Sequence, residues 1–329
     1  MDFRLDDDQR ALRDGMRELL ERRFPRARLR AVADGPGAGA GPLDRALWRE
    51  LGTAGFFALR LPEAAGGVGL GLPEAVLAME EAGRALLPGP LVATQLAAGL
   101  GAVDAAEGAA VVTALDRGAG DGLVEHLASA DAVLVLNGED AGVRPAAALA
   151  DAARPIRSVD PATPLHRVDG VAASTGGIAV GGVAARLRRE AALLTAAQQL
   201  GSASRTVRMA VDHATARSQF GRPIGAFQAV QHLCARMLVR AESARSVVYA
   251  AAVTEEAGDI AAATLLADEA AVRNARDCLQ VHGGMGFTWE ADVHLHLKRA
   301  WVRAEQWQTA AAAEEELAAG LLLTGETGL

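Results

Sequence analysis

Between two long helical patterns the chain reads Arg217-Ser218-Gln219-Phe220-Gly221-Arg222-Pro223-Ile224-Gly225-Ala226-Phe227-Gln228. Two guanidinium groups and two side-chain amides crowd this turn, and a new helix opens near Ala226. Cationic forks beside the exposed amides of a helix start are suited to holding a phosphorylated cofactor. The plainer alternative is an αα-turn whose Arg side chains cap the carbonyls of the first helix. A second stretch, Gln280-Val281-His282-Gly283-Gly284-Met285-Gly286-Phe287-Thr288-Trp289-Glu290, follows a third long helix. Its paired glycines let backbone approach a ligand closely, and the alternative there is a helix C-cap with no ligand.

An R-x-Q-F-G-x-P-I-x-x-F-Q turn paired with a later Q-x-H-G-G-x-G-F-T-W-E turn resembles the acyl-CoA dehydrogenase family. The resemblance is strong after Ala191, good before Gly101 and poor between. It implies an FAD-dependent α,β-dehydrogenation of an acyl thioester, with a carboxylate taking the α proton while a hydride leaves the β carbon. It also implies that Arg217, Ser218, Gln219, Phe220, Phe227, Gln228, Gln280, Val281, His282, Gly283 and Gly284 bind the adenine and pyrophosphate half of FAD lying mainly in an adjacent subunit. For the base the match weakens. The Y-E-G-like position falls on Trp307, and Glu305 stands two residues away, about 200° round a helix. The base position that other members carry on the first helix of the bundle falls on Ala191, with Glu190 turned from it by about 100°. Glu305 and Glu190 are therefore the candidate catalytic residues, each with the alternative of an ordinary surface glutamate.

These residues need elements to hold them. Asp6, Asp7 and Asp8 precede an apolar stripe, Asp44 to Ala54 has helical spacing, and Leu72 to Leu86 reads as a helix with Glu80, Glu81 and Arg84 on a solvated face. Leu61 to Leu70 is too glycine-rich for a helix or strand, and no GK[ST] makes it a phosphate loop. Short β-type runs follow at 110–115, 132–136, 156–159 and 165–168. Four helical runs fill Leu187 to about Leu323. The expected fold is predominantly α with a small β-domain: a helical N-terminal domain (1–108), a reduced middle β-domain (109–186) and a C-terminal four-helix bundle (187–329). The middle region lacks the polar and aromatic segments that line the flavin ring in the family.

Composition narrows the partners. The net charge is -8 and aromatics make up 4%, so neither a phosphate-tracking groove nor a base-stacking platform is present, and nucleic acid is not expected. The acidic N-terminus lacks a secretory h-region, no apolar run is long enough to span a bilayer, and Cys234 and Cys278 read as core thiols of a reducing cytoplasm. The spacing of His282, His294, His296 and Glu290 does not make a metal site. Three functions stay open. One is a subunit that completes an FAD site in a hetero-oligomer with a second acyl-CoA dehydrogenase-like chain, resembling the short α-type chains of actinobacterial α2β2 complexes. The second is a self-sufficient homo-oligomeric acyl-CoA dehydrogenase using Glu305 or Glu190. The third is a helical scaffold without flavin.

Overall fold

A computed structural model describes residues 4–35, 43–101, 104–118, 122–169 and 178–326. Acidic residues in its first turn and arginines in its last complement the dipole of α1 (Asp7–Arg23), and Pro25 separates it from α2 (Arg26–Ala33). The Asp44 carboxylate accepts from the backbone amides of Ala46 and Leu47, opening α3 (Arg45–Thr53) as its sequence implies. The Leu61–Leu70 stretch holds one three-residue 3₁₀ turn, Glu63–Ala65, with Gly66 and Gly69 at φ +79° and +73°.

Helix α4 (Leu72–Arg84) corrects one expectation: Glu80 and Glu81 are buried instead of solvated. Arg245 and Tyr249 donate to Glu80, and Arg17 donates to Glu81. The helical period marks these positions as polar, but cationic partners far away in sequence, not water, solvate them. Helix α5 (Leu91–Leu100) was not foreseen. It is buried at every position from Leu91 to Ala98, so it lacks the polar stripe on which periodicity depends.

The β region contains β1 (Val112–Asp116), β2 (Leu123–Glu125), β3 (Ala132–Asn137), β4 (Asp140–Pro145), β5 (Ala153–Ile156), β6 (Leu165–Val168) and β7 (Ile178–Val180). One sheet has the order β1-β3-β4-β7, with β1 and β3 parallel and β3-β4 a hairpin that turns at Gly138. The other has the antiparallel order β2-β6-β5. Leu115, Val124, Val133, Val135 and Val168 make a shared core. The runs expected at 110–115, 132–136 and 165–168 correspond to β1, β3 and β6. The run expected at 156–159 moves to 153–156, and the polar or very short β2, β4 and β7 escaped detection.

Helices α6 (Ala184–Ala216), α7 (Gln228–Thr254), α8 (Ala257–His282), α9 (Val293–Arg303) and α10 (Ala310–Glu326) form the C-terminal bundle, in which α8 packs on α7, α9 and α10. The fourth run expected here divides into α9 and α10. Small residues bring α4 against α6: a Cβ on Gly83 would lie 2.0 Å from the Gln198 carbonyl oxygen, and one on Gly201 1.9 Å from that of Glu80. Contacts group the chain into two units, Met1–Arg17 with Val76–Leu86 and Ala192–Leu329, and Glu18–Ala75 with Leu87–Ala191. The architecture is predominantly α with a small β-domain, as expected.

Candidate functional site

The first motif turn begins where α6 ends. Ser218–Gln219 (β8) pairs with Arg222–Pro223 (β9), and the two residues between them, Phe220 and Gly221, take φ +53° and +75°. Two successive left-handed residues make the tight hairpin turn for which the glycine is suited, and they hold the Phe220 ring 90% exposed. Phe220 meets Phe227 edge-on at 6.1 Å, and the Arg222 guanidinium lies 4.2 Å over the Phe227 ring. Arg217, Ser218, Gln219 and Gln228 are exposed, and none of their side chains makes a hydrogen bond or ion pair among the described residues.

The second turn lies against the first. The rings of His213, on the last turn of α6, and His282, at the end of α8, stack at 4.1 Å and 21°. His282 Nδ1 is 2.8 Å from the Cys278 carbonyl oxygen, which leaves Nε2 outward. Burial, then the charges of His282 and Arg217, hold His213 below the usual imidazole range. Ile224 of the first turn and Leu279 and Val281 of the second share one apolar cluster with Ala210, Ala214 and Met237. Val281 therefore offers a ligand only its backbone. Gln280 is exposed, and Gly283 (φ +61°) and Gly284 have open space where a Cβ would project. The two turns thus present unspent donors, exposed backbone and an aromatic ring at one end of the bundle.

The two candidate acids are placed differently. Glu305 is exposed in the α9–α10 connection, close enough to Asp268 of α8 to influence its charge. Asp268 precedes Gln280 by twelve residues, about 18 Å along the helix, so Glu305 is not brought to the two motif turns. Beside it Trp307 has φ +62°, and the Gln308 amide donates to the Gln306 carbonyl at 2.7 Å, closing a three-residue turn that is unusual for a bulky side chain. Glu190 belongs to the other unit and is 4% exposed. Its two oxygens take Arg60 Nη1 at 2.8 Å and Arg186 Nη1 at 2.7 Å. Burial opposes its charge, but the Arg60 hydrogen bond and charge, joined by Arg186, outweigh burial and hold the carboxyl below the usual range. A carboxylate with both oxygens committed and its basicity lowered is poorly equipped to take a proton from carbon.

Sequence reasoning passed over Asp268. Burial pushes its carboxyl up to about 6 despite a 2.8 Å hydrogen bond from Gln199, and Glu305 adds to the rise. Its signal was a lone acid inside an Ala- and Leu-rich helical face. Cys234 and Cys278 are free thiols. Among the described residues no group of three His, Cys, Asp or Glu could hold a metal, and no helix is long and apolar enough to cross a membrane.

Known proteins share this fold. Family models described as "Acyl-CoA dehydrogenase, N-terminal domain" and "Acyl-CoA dehydrogenase, C-terminal domain" match residues 6–111 and 183–308. "Acyl-CoA dehydrogenase IpdE2" of Mycobacterium tuberculosis (strain ATCC 25618 / H37Rv) is 35% identical over 306 residues, 89% of this chain and 91% of that protein. "Acyl-CoA dehydrogenase FadE34" of the same organism is 39% identical over 284 residues, which cover 78% of this chain but 39% of that longer protein. Among solved structures, the ChsE4-ChsE5 complex from Mycobacterium tuberculosis superposes with a TM-score of 0.83 at 24% identity, covering 98% of this chain and 99% of that one. Butyryl-CoA dehydrogenase from Megasphaera elsdenii superposes with a TM-score of 0.81 at 20% identity, covering 98% and 100%. With both family models matched in the expected order and a relative aligned over nearly its whole length, the chain belongs to the acyl-CoA dehydrogenase family of FAD-dependent oxidoreductases.

Proposed function

We propose that this chain completes an FAD site in a hetero-oligomer that dehydrogenates an acyl thioester across its α,β bond, a second acyl-CoA dehydrogenase-like chain supplying the catalytic base. One observation carries the reading: the cofactor end is fully equipped, whereas neither candidate acid is. The residues present suit FAD. Arg217 brings an uncommitted guanidinium for a pyrophosphate, Phe220 an exposed face for an adenine, and Gly283-Gly284 backbone that a ligand can approach. Gln219, Gln228 and Gln280 add neutral amides, and Ser218 a hydroxyl, for the surrounding oxygens. When bound, FAD supplies the hydride acceptor.

This chain's own contribution is binding and orientation. The His213–His282 stack holds the two turns in register, and the shared apolar cluster keeps their backbones fixed. Glu190 serves as an ion-pair centre for Arg60 and Arg186, and Glu305 as a surface group. The division at 108 and 186 is retained as part of this reading, the reduced middle segment being the part for which a partner compensates. The ChsE4-ChsE5 complex, a neighbour in fold, offers a precedent for two named chains assembling.

The test is the absorbance spectrum of the purified chain, alone and co-expressed with a longer acyl-CoA dehydrogenase-like chain that carries its own base. Flavin retained only in the co-expressed complex is the expected result. In that complex Arg217→Ala should lose FAD about 10- to 100-fold more readily on dialysis, since a hydrogen bond to a charged group contributes about 1.5–3 kcal/mol. Unchanged flavin retention in the variant, or a flavin-loaded monomer of this chain, rejects the proposal.

A further inference from the structure

Two imidazoles and a guanidinium meet where the two motif turns touch. His213 and Arg217 are four residues apart at the end of α6, and the Arg217 backbone amide donates to the His213 carbonyl oxygen at 2.9 Å, so the two side chains share a helical face. His282 of α8 lies against His213 with ring centres 4.1 Å apart. Its Nδ1 is spent on the Cys278 carbonyl oxygen at 2.8 Å. Its Nε2, both nitrogens of the His213 ring and the Arg217 guanidinium have no hydrogen-bond partner among the described residues.

The charges around this group are settled elsewhere or are positive. On α6, Asp212 pairs with Arg208 at 2.9 Å; on α8, Asp277 pairs with Arg240; and Arg222 of the first turn lies over the Phe227 ring. Helices α7 and α9 contribute Val230, Met237, Val293 and Leu297 to the packing beneath. Burial pushes the Cys234 thiol up and the Cys278 thiol up to about 12, so both stay neutral. Among the described residues no carboxylate acts on His213, and burial, His282 and Arg217 all disfavour its charged form. Both rings nevertheless stand in the last turn of a helix, where the negative end of the dipole favours a cation. An anion placed beside them reverses the balance. A metal ion does not suit the arrangement, because stacked rings hold their in-plane lone pairs side by side instead of converging, and Arg217 repels a cation. An anion with several oxygens can face the guanidinium and a protonated imidazole together.

We propose that the stacked His213–His282 pair and Arg217 form one seat for the cofactor's pyrophosphate, and that the pair takes up a proton from solvent as this anion binds. His213, outside both motif turns, thereby becomes a cofactor-binding residue. The proton belongs to the pair, whose two rings titrate together. An opposite charge within about 4–6 Å moves a titration by about one to three pH units toward the charged form. Affinity is therefore highest in acid and falls as pH rises through the range in which the occupied pair loses its proton. The inference rests on the reading of the two turns as an FAD half-site.

ADP-ribose carries the adenine and pyrophosphate half of FAD, and its pyrophosphate does not titrate between about pH 5 and 8; adenosine lacks the charge. Titrated into the purified chain, ADP-ribose should bind about tenfold more tightly at pH 5 than at pH 8, and adenosine equally at both. Histidine-selective NMR should show two of the chain's 7 imidazoles titrating about one pH unit higher with ADP-ribose bound. The double variant His213→Phe and His282→Phe keeps two rings with nothing to protonate, and should flatten the pH dependence. If that variant does not fold, the NMR titration of the parent decides alone. Equal ADP-ribose binding at both pH values, an equal gain in acid for adenosine, unmoved imidazoles, or full pH dependence in the double variant overturns the inference. Flat binding would leave the half-site standing, whereas no binding of ADP-ribose at any pH would overturn the half-site with it.

Discussion

Replacing Glu190 with Gln separates a structural carboxylate from a catalytic one. The side chain is 4% exposed and each oxygen faces a cation: Arg60, whose side chain is 25% exposed, and Arg186, 53% exposed and free to turn to water. The Arg186 pair is therefore worth a few tenths of a kcal/mol at most. The Arg60 pair dominates: an amide keeps one neutral acceptor for it but turns its NH₂ toward cations, costing about 2–3 kcal/mol. For a chain of this length that lowers the unfolding midpoint by about 3–4 °C. Because the folded carboxyl titrates below its ordinary value of 4.5, the stabilisation is complete above that value and is lost as pH falls through the depressed folded pKa. Calorimetry at neutral pH should thus show the full difference between the two proteins, and calorimetry in progressively acidic buffer a shrinking one. Turnover of the flavin-loaded assembly, followed with an artificial electron acceptor, should fall less than about tenfold, whereas losing a general base costs about 10²–10⁴. A hundredfold loss of turnover at unchanged midpoint and flavin content would falsify this reasoning and make Glu190 the base.

Glu305→Gln should leave turnover and midpoint nearly unchanged, since the side chain is exposed; a loss of two orders of magnitude at constant flavin content would show this chain to be the catalyst. Asp268→Asn tests the raised carboxyl. A folded pKa near 6 against an ordinary 3.8 means the acid stabilises the fold at low pH and loses that contribution as pH rises through 6, so the variant should gain on the parent by up to about 2 kcal/mol between pH 4 and 7. Parallel melting curves across that range would contradict the assignment. Gly201→Ala sets a methyl 1.9 Å from the Glu80 carbonyl oxygen, a backbone atom that moves only with α4, and should cost about 3 kcal/mol despite a helix-propensity gain of about 1. Denaturant unfolding with an unchanged or raised midpoint would show that the helices separate easily.

The two motif turns could be located from sequence because each is a short contiguous run whose shape its own residues set. Arg217, Gln219 and Gln280 carry their chemistry on the surface of two short turns, and Gly221, Pro223 and Gly283 announce those turns locally. The acids could not be read this way. Glu80, Glu190 and Asp268 owe their state to arginines, a tyrosine or burial brought from far along the chain, and a charged residue at helical spacing looks the same whether water or Arg245 answers it. Helix α5 was hidden for the converse reason: it is buried from Leu91 to Ala98, its polar Thr94 and Gln95 included. The short strands β2, β4 and β7 depend on neighbours across a sheet more than on their own residues.

Trp307 joins these two kinds of information. Sequence alone marks it as a non-ionising residue at the family's base position, and the structure adds that its backbone is held at φ +62° in a three-residue turn. Such a conformation costs a bulky residue on the order of 1–3 kcal/mol, and the Thr264 hydroxyl, 3.2 Å from Gln308 Oε1, helps to hold it. Packing a tryptophan does not require that cost, since the same half-buried ring could sit on a relaxed backbone. The connection, not the ring, therefore sets this backbone, and the side chain it carries cannot take a proton. A chain that must still assemble and shape a site, but no longer supplies its base, would be under that combination of constraints. A self-sufficient enzyme would need the carboxylate more than the turn.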